Sequence, residues 1–352
     1  MKNTLIFFVL TILIGCENQS ELEFENASNE SYFINDKSIV NDEFKSRKMA
    51  KVDLEAIKVK NGRLIFKDIA HFCNTLKAIS IDSSINFESK YLNFTSYHSI
   101  SSNVLELLEN VESKAEYEKI ISENLVILDI VDDEVKLKNL SDCETKLLDK
   151  NLQVFIGKAL YQFESDRQFI NVEGNIDKIK SEKESFSYNR AIMPPKKAKV
   201  STYCYPGVEK VVKNSDDDRK STLNVQALNI IFMSYYNGPN NPVTHTIWPT
   251  VRIHTEAEKK VFFLGWRAYS TPQILEIYFD ITFTNNENNI STYVSQNGTT
   301  QTYSTSGHSY DVLGSTFYGV LNPNSITGLL HLPGTGSHKM TNTGIINTMS
   351  CY

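Results

Sequence analysis

The chain has 352 residues, 41% of them hydrophobic and 22% charged, with a formal net charge of −6. That is globular composition with room for more than one core, and it excludes disorder throughout. No long basic patch is present to neutralise phosphates, which argues against nucleic acid as a partner.

The chain opens MKNTLIFFVLTILIGCEN. Lys2 supplies a positive start, and Leu5 to Ile14 supply an apolar run of signal-peptide length, too short to span a bilayer of about 30 Å. Leu13-Ile14-Gly15-Cys16 resembles the lipobox of bacterial lipoproteins. The resemblance implies removal of residues 1–15, a diacylglycerol on the Cys16 thiol and acylation of the new amino terminus. It thus implies a lipid-anchored protein of the bacterial cell envelope, at the outer membrane. The chemistry requires a cysteine because a thiolate is the nucleophile that takes a thioether-linked lipid. Residues 16–50, with Glu17, Glu21, Glu23 and Glu25 and little apolar periodicity, read as a flexible tether. This acidic stretch also resembles the surface-export signal of Bacteroidetes lipoproteins.

Residues 51–176 read as a small α+β domain. Asn61-Gly62 between two alternating segments signals a hairpin, since both turn residues accept positive φ. Ile69, Phe72, Cys73, Leu76 and Ile79 then recur at helical spacing behind Asp68 as cap. Ser113-x-x-Glu116 and Ser141-x-x-Glu144 predict two further helix starts. LQVFIGKALYQF pairs two short runs across Gly157-Lys158.

The chain changes character near Pro194-Pro195, because all nine prolines and eleven of the fifteen glycines lie from Pro194 onward. Residues 177–199, rich in lysine and without a core period, read as a linker. Residues 200–352 read as an all-β sandwich domain, jelly-roll or immunoglobulin-like in outline. Leu275, Ile277, Phe279, Ile281 and Phe283 alternate with polar positions and mark one strand. Other strands are expected over 222–236, 246–254, 260–269, 290–296, 299–304, 316–321 and 328–332, with Asn297-Gly298 as a second hairpin turn. The expected fold class is therefore an α+β N-terminal domain followed by an all-β sandwich C-terminal domain. The motifs NGRLIFKDIAHFCNTLKAI and LLDKNLQVFIGKALYQF, following a lipobox, are similar to segments of uncharacterised Bacteroidetes lipoproteins in which a small N-terminal domain precedes a β-rich one. That resemblance implies no activity.

Five cysteines stand at 16, 73, 143, 204 and 351. None shows CxxC or Cys/His zinc spacing, so neither metal nor cofactor is expected. Cys204 and Cys351, at the two ends of the β-rich half, are a candidate disulfide, while Cys73 and Cys143 read as buried thiols. No nucleophile elbow, zinc-protease motif, P-loop or dinucleotide fingerprint is present, so no catalytic residue is assigned. The nearest approach to a constellation is Gly307-His308-Ser309-Tyr310-Asp311. Asp216-Asp217-Asp218 lacks calcium-loop spacing and reads as a solvated loop. Trp266 shares strand parity with Phe262 and Leu264 and is expected in the core; Trp248, beside Pro249, is expected at a strand end as a ligand-facing aromatic. The expected function is a non-catalytic binding or adhesion lipoprotein, held at the membrane by its lipid and directed at a glycan or a protein. The rival classes are an envelope hydrolase and a structural subunit of a surface assembly.

Overall fold

The computed structural model describes residues 54–349 except 83, 132–133, 139, 182, 193–207, 236–242, 262–264, 314–316, 320–321, 332–335 and 344. Cys16, Cys204 and Cys351 fall outside the described residues, and with them the leader, the tether and the candidate disulfide.

Lys58–Lys60 (β1) and Arg63–Phe66 (β2) form the first hairpin, its turn residues Asn61 and Gly62 at φ 52° and 73°. The Asp68 side chain then accepts from the His71 backbone N–H and starts helix α1 (Ile69–Ile81), which buries Phe72, Leu76 and Ile79. Ser96 caps helix α2 (Tyr97–Asn110) and Ser113 caps α3 (Lys114–Glu123). A short hairpin, Leu128–Val131 (β3) with Glu134–Leu137 (β4), leads to α4 (Asp142–Leu147). There Ser141 and Glu144 bond each other's backbone in a capping box, which satisfies two amides at the helix start. Gln153–Ile156 (β5), Ala159–Phe163 (β6), Arg167–Asn171 (β7) and Phe186–Asn189 (β8) complete a six-stranded sheet in the order β1-β2-β5-β6-β7-β8.

Val208–Lys213 (β9), Arg219–Tyr235 (β10), Thr244–Val261 (β11) and Gly265–Ala268 (β12) form a second sheet. Thr271–Asn285 (β13) and Ile290–Thr305 (β14) begin a third; Gly307–Leu313 (β15) and Phe317–Gly319 (β16) return to the second by pairing with β11. Ile326–His331 (β17), Gly336–Met340 (β18) and Ile345–Met349 (β19) then join the third.

The β-rich character of the second half holds, but the helices do not belong to a separate N-terminal α+β domain. The reason lies in β10 and β11, whose two faces are both buried. Leu223, Val225, Ile231, Ile247, Val251 and Ile253 share one core with Leu275, Ile277, Phe279, Ile281 and Phe283. The alternate positions Ile230, Phe232 and Trp248 enter another core, together with Leu64, Phe66, Phe72 and Tyr161. The Phe232 ring stands 5.8 Å from that of Phe72 and 6.1 Å from that of Tyr161. A strand covered on both sides reads as a continuous apolar run, as in Asn229-Ile-Ile-Phe-Met233, and not as the alternation of a half-wet strand.

Within residues 177–199 the described part is structured. It holds β8, a fully buried Arg190 and a core Ile192. The Ile192 N–H donates to Ala227 O at 3.0 Å and the Asn229 N–H to Arg190 O at 2.7 Å, so the segment pairs with the edge of β10. Farther along that edge the Gln168 amide both donates to Ile231 O and accepts from Ile231 N–H, acting as a piece of strand. Of the lysines that suggested a solvated linker, Lys178 meets Glu184 at 2.6 Å and Lys180 meets Glu164 at 2.7 Å on its outer side, while Lys196, Lys197 and Lys199 fall outside the described residues.

Asn297-Gly298 is not a turn. One strand, β14, runs through it, and the register with β13 slips by a residue at that point. Gly298 sits at φ 69°, and a Cβ there would fall 2.7 Å from the Tyr278 ring, so the bulge needs glycine twice over.

A candidate ligand-binding cavity

Among the described residues a cavity of about 440 Å³ opens between α2, the β3–β4 hairpin, the start of α4 and the edge of the second sheet where β12 and β15 share β11. Helix α2 contributes His98, Ser101 and Ser102, and α4 contributes Asp142 and Thr145. Strand β11 contributes His254, Glu256 and Glu258, which share one face because alternate residues of a strand point the same way. Tyr303 closes the wall from β14, with His308 and Ser309 from β15.

Several charged groups of the wall are paired. His308 Nδ1 lies 2.7 Å from Asp142 Oδ2, and His308 Nε2 lies 2.9 Å from Gln301 Oε1. His254 Nε2 lies 3.0 Å from Glu256 Oε1, with Lys136 Nζ at 4.0 Å from the other oxygen. Glu258 meets Lys220 at 2.8 Å. Burial works against the Asp142 carboxylate, but His308, with His98 and His254 beyond it, holds its pKa below the usual range. Burial likewise opposes Glu256, and the hydrogen bond and charge of His254, aided by Lys136 and Lys220, hold it down to about 2. Burial dominates at His98 and lowers its pKa.

Two polar atoms of the wall are left over. Among the described residues neither Ser309 Oγ nor His254 Nδ1 has a hydrogen-bond partner. They belong to residues directly opposite each other in the β11–β15 ladder, and Ser309 is 3% exposed. Both atoms are themselves buried, and buried polar groups are ordinarily paired with protein or water.

Next to this half-open site the same elements build a sealed one. Glu144 takes Arg190 Nη2 at 2.5 Å on one oxygen and Arg252 Nη2 on the other. Arg252 also clasps Asp311 at 2.8 and 2.9 Å. Arg190 also donates to the carbonyls of Glu164 and Asn229, at 3.0 and 3.3 Å. Both arginines are 0% exposed, Glu144 1% and Asp311 8%. Two positive charges meet two negative ones, and Arg190 and Arg252 hold the Glu144 carboxyl below its ordinary pKa despite burial.

The constellation at 307–311 is thus divided. His308 and Ser309 line the cavity while Asp311 belongs to the sealed cluster, so the three do not act together. Trp248 is not at the surface: it is 3% exposed and packed with the helical part of the chain. Pro249 does not end its strand, because the Asn229 N–H opposite points away from β11 toward Arg190. Its missing N–H therefore falls in the gap between the segments of β11 paired with β16 and with β15. Trp266 is the half-exposed tryptophan, with the ammonium groups of Lys213 and Lys220 each 5.0 Å from its ring centre. Asp217 bridges Lys213 at 2.9 Å and Lys260 at 2.8 Å, as a solvated loop does. Cys73 and Cys143 are free and partly buried, and desolvation pushes the Cys73 thiol up to about 12. No group of three or more His, Cys, Asp or Glu among the described residues is arranged to hold a metal ion. No described helix is long and apolar enough to cross a membrane.

Helix α2 and the cavity residues His98, Asp142, His254 and Glu256 escaped the sequence reading. Ser96 before Tyr97, Val104 and Leu108 was the available signal for the helix, weakened by Ser101 at the intervening core position. No family model matches the chain, and no curated protein matches it. Among solved structures it is similar to the crystal structure of a DUF4848 family protein from Bacteroides thetaiotaomicron. The identity is 18% over 82% of this chain and 95% of that one, with a TM-score of 0.24, too loose a superposition to transfer fold or function.

Proposed function

We propose that this is a lipid-anchored, non-catalytic binding protein of the bacterial cell envelope, which takes a small polar ligand into the cavity between α2, α4 and the β11–β15 edge. The observation that carries the binding role is the cavity itself, of ligand size and with paired charges from four elements on its wall. Hydrolysis is disfavoured by the same geometry. Both ring nitrogens of His308 are engaged, by Asp142 and Gln301. Ser309 Oγ has no base against it among the described residues, so no activated nucleophile is assembled. The envelope location rests on the lipobox-like Leu13-Ile14-Gly15-Cys16.

The test uses Ser102→Trp, an exposed α2 position at the cavity wall, where substitution leaves stability within about 0.5 kcal/mol. Neutral sugars, amino sugars, sugar acids and free amino acids are screened by thermal shift. At least one raises the melting temperature of the wild type and none raises that of Ser102→Trp. A ligand effect that survives the blocking tryptophan refutes the cavity. Loss of palmitate labelling in Cys16→Ser checks the anchor, and unchanged labelling refutes it.

A further inference from the structure

We propose that the free edge of β14 is a self-association surface, on which residues 290–296 pair antiparallel with the same segment of a second copy of the chain. Among the described residues β14 pairs with β13 alone, so its other edge presents a row of backbone donors and acceptors. Proteins ordinarily shield such an edge by keeping it short, by placing charge or proline on it, or by covering it. The other sheet ends of this chain follow that practice. Strand β1 has three residues with a lysine at each end, and β12 has four and carries Arg267. Strand β9 carries Glu209, Lys210 and Lys213, and β19 covers it: the Asn347 amide donates to Lys210 O at 2.7 Å and Lys210 Nζ to Thr348 O at 2.6 Å. Beyond β8 the chain goes on to pair with β10. Strand β14 does the opposite. Over 16 residues it has no Asp, Glu, Lys, Arg or Pro, in a chain that is 22% charged.

The missing charge identifies the occupant. Two-fold antiparallel pairing sets each residue against its own counterpart or a close neighbour of it, so a lysine or carboxylate on the strand would meet its like. A strand without charge can meet itself, and it offers nothing electrostatic by which a foreign strand would be chosen. The register slip at Gly298 bends and twists the strand there. It therefore ends the pairing segment and leaves residues 290–296 as the straight part. The register of greatest overlap is centred on Tyr293 and sets Tyr293 against Tyr293, Thr292 against Val294 and Ser291 against Ser295. Val294 and Gln296 already face the core, at 1% and 4% exposed, while Tyr293 and Ile290 are 49% and 56% exposed. The pairing thus brings two tyrosine rings side by side across the new ladder, an arrangement that stabilises strand pairs. Asp280, on the strand behind, accepts from the Tyr293 hydroxyl and keeps its charge off the edge. One strand pair buries less than a standard interface of about 1,600 Å², so the association is reversible and micromolar.

The experiment is sedimentation equilibrium of the full chain in density-matched detergent, for the wild type, Tyr293→Lys, Tyr293→Glu and an equimolar mixture of the two variants. The wild type is expected to approach twice the chain mass as its concentration rises. Each variant, with like charges opposed at the two-fold axis, should dimerise about fivefold more weakly or worse. The mixture opposes lysine to glutamate and should recover the dimer. Melting curves show that both variants are folded; if either melts early, Ser291→Lys/Ser295→Lys and Ser291→Glu/Ser295→Glu take their place, since the same register opposes those positions. A wild type that stays monomeric up to about 100 μM leaves the edge to a foreign strand and overturns the proposal. Dimers indifferent to the substitutions form elsewhere on the molecule and overturn it too. So does a mixture that stays as monomeric as its folded components, because opposite charges at the axis would then have met nothing.

Discussion

Helix α4 and strands β11 and β15 each contribute to two polar sites, and the sites differ in kind. Two residues apart on α4, Glu144 enters the sealed cluster and Asp142 the cavity. On β11 the same is true of Arg252 and His254, and on β15 of Asp311 and Ser309. In the cluster every oxygen of Glu144 and Asp311 faces a guanidinium, and the members are at most 8% exposed. In the cavity the side chains of Asp142 and His308 are 37% and 24% exposed, and among the described residues Ser309 Oγ and His254 Nδ1 lack partners. Ionic groups closed on all sides fix how the helical part meets the strands. Similar groups left half open are available to something else.

The largest effect should come from breaking the closed site. Glu144→Gln keeps shape and much of the hydrogen bonding but leaves Arg190 and Arg252 buried against Asp311 alone. Loss of one partner from a buried ionic network costs about 3–5 kcal/mol, so urea denaturation should show a stability loss of that order. A loss under about 1 kcal/mol would mean that the arginines find other partners or water.

That cluster also shows where legibility in the sequence ended. Local elements were readable: Asp68, Ser113 and Ser141 start helices as their spacing predicts, and Leu275 to Phe283 alternate as one strand. Those signals lie within a few residues of each other. Arg190 was embedded in lysine-rich polar sequence, and nothing local reveals that its partners lie 46 residues back and, for its Nε, 39 residues on. Ile230 and Phe232 read simply as apolar, although one face of their strand was waiting for the first half of the chain. The cavity was hidden for the same reason, since Asp142 and His308 are brought to 2.7 Å by topology alone. Trp248 and Trp266 were exchanged because a proline beside the first looked like a strand end.

A second test compares a sealed histidine with the cavity. His338 is 0% exposed, bonded by Ser221 Oγ at 2.8 Å and Gln273 Oε1 at 2.5 Å. One neutral tautomer satisfies both: Ser221 donates to Nδ1 and Nε2–H donates to Gln273. Burial, with the nearby charge of His254, holds its pKa down to about 4. The folded value lies below the unfolded one of about 6.5, so this stability is complete above pH 6.5 and is lost as pH falls from there toward 4. The loss is about 3 kcal/mol for a shift of this size. His338→Gln should therefore flatten the stability profile across that window. A slope unchanged by the substitution would assign the pH dependence elsewhere.

The smallest effect is expected from Asp142→Asn, the cavity counterpart of Glu144→Gln on the same helix. Asp142 and His308 approach as closely as any pair in the cluster, yet more than a third of the Asp142 side chain is exposed. Solvent screening then limits the pair to about 1 kcal/mol or less. Because the folded carboxyl titrates below its usual value, whatever it contributes is present above about pH 4 and disappears as the pH falls further. The difference from wild type should accordingly narrow as the pH falls below about 4 and, at neutral pH, shrink in about 1 M salt, where the Debye length is about 3 Å. The Glu144→Gln loss, inside a site that ions do not reach, should persist in the same salt. If instead Asp142→Asn costs as much as Glu144→Gln and resists salt equally, the Asp142–His308 pair is closed to solvent and the cavity beside it is no binding site.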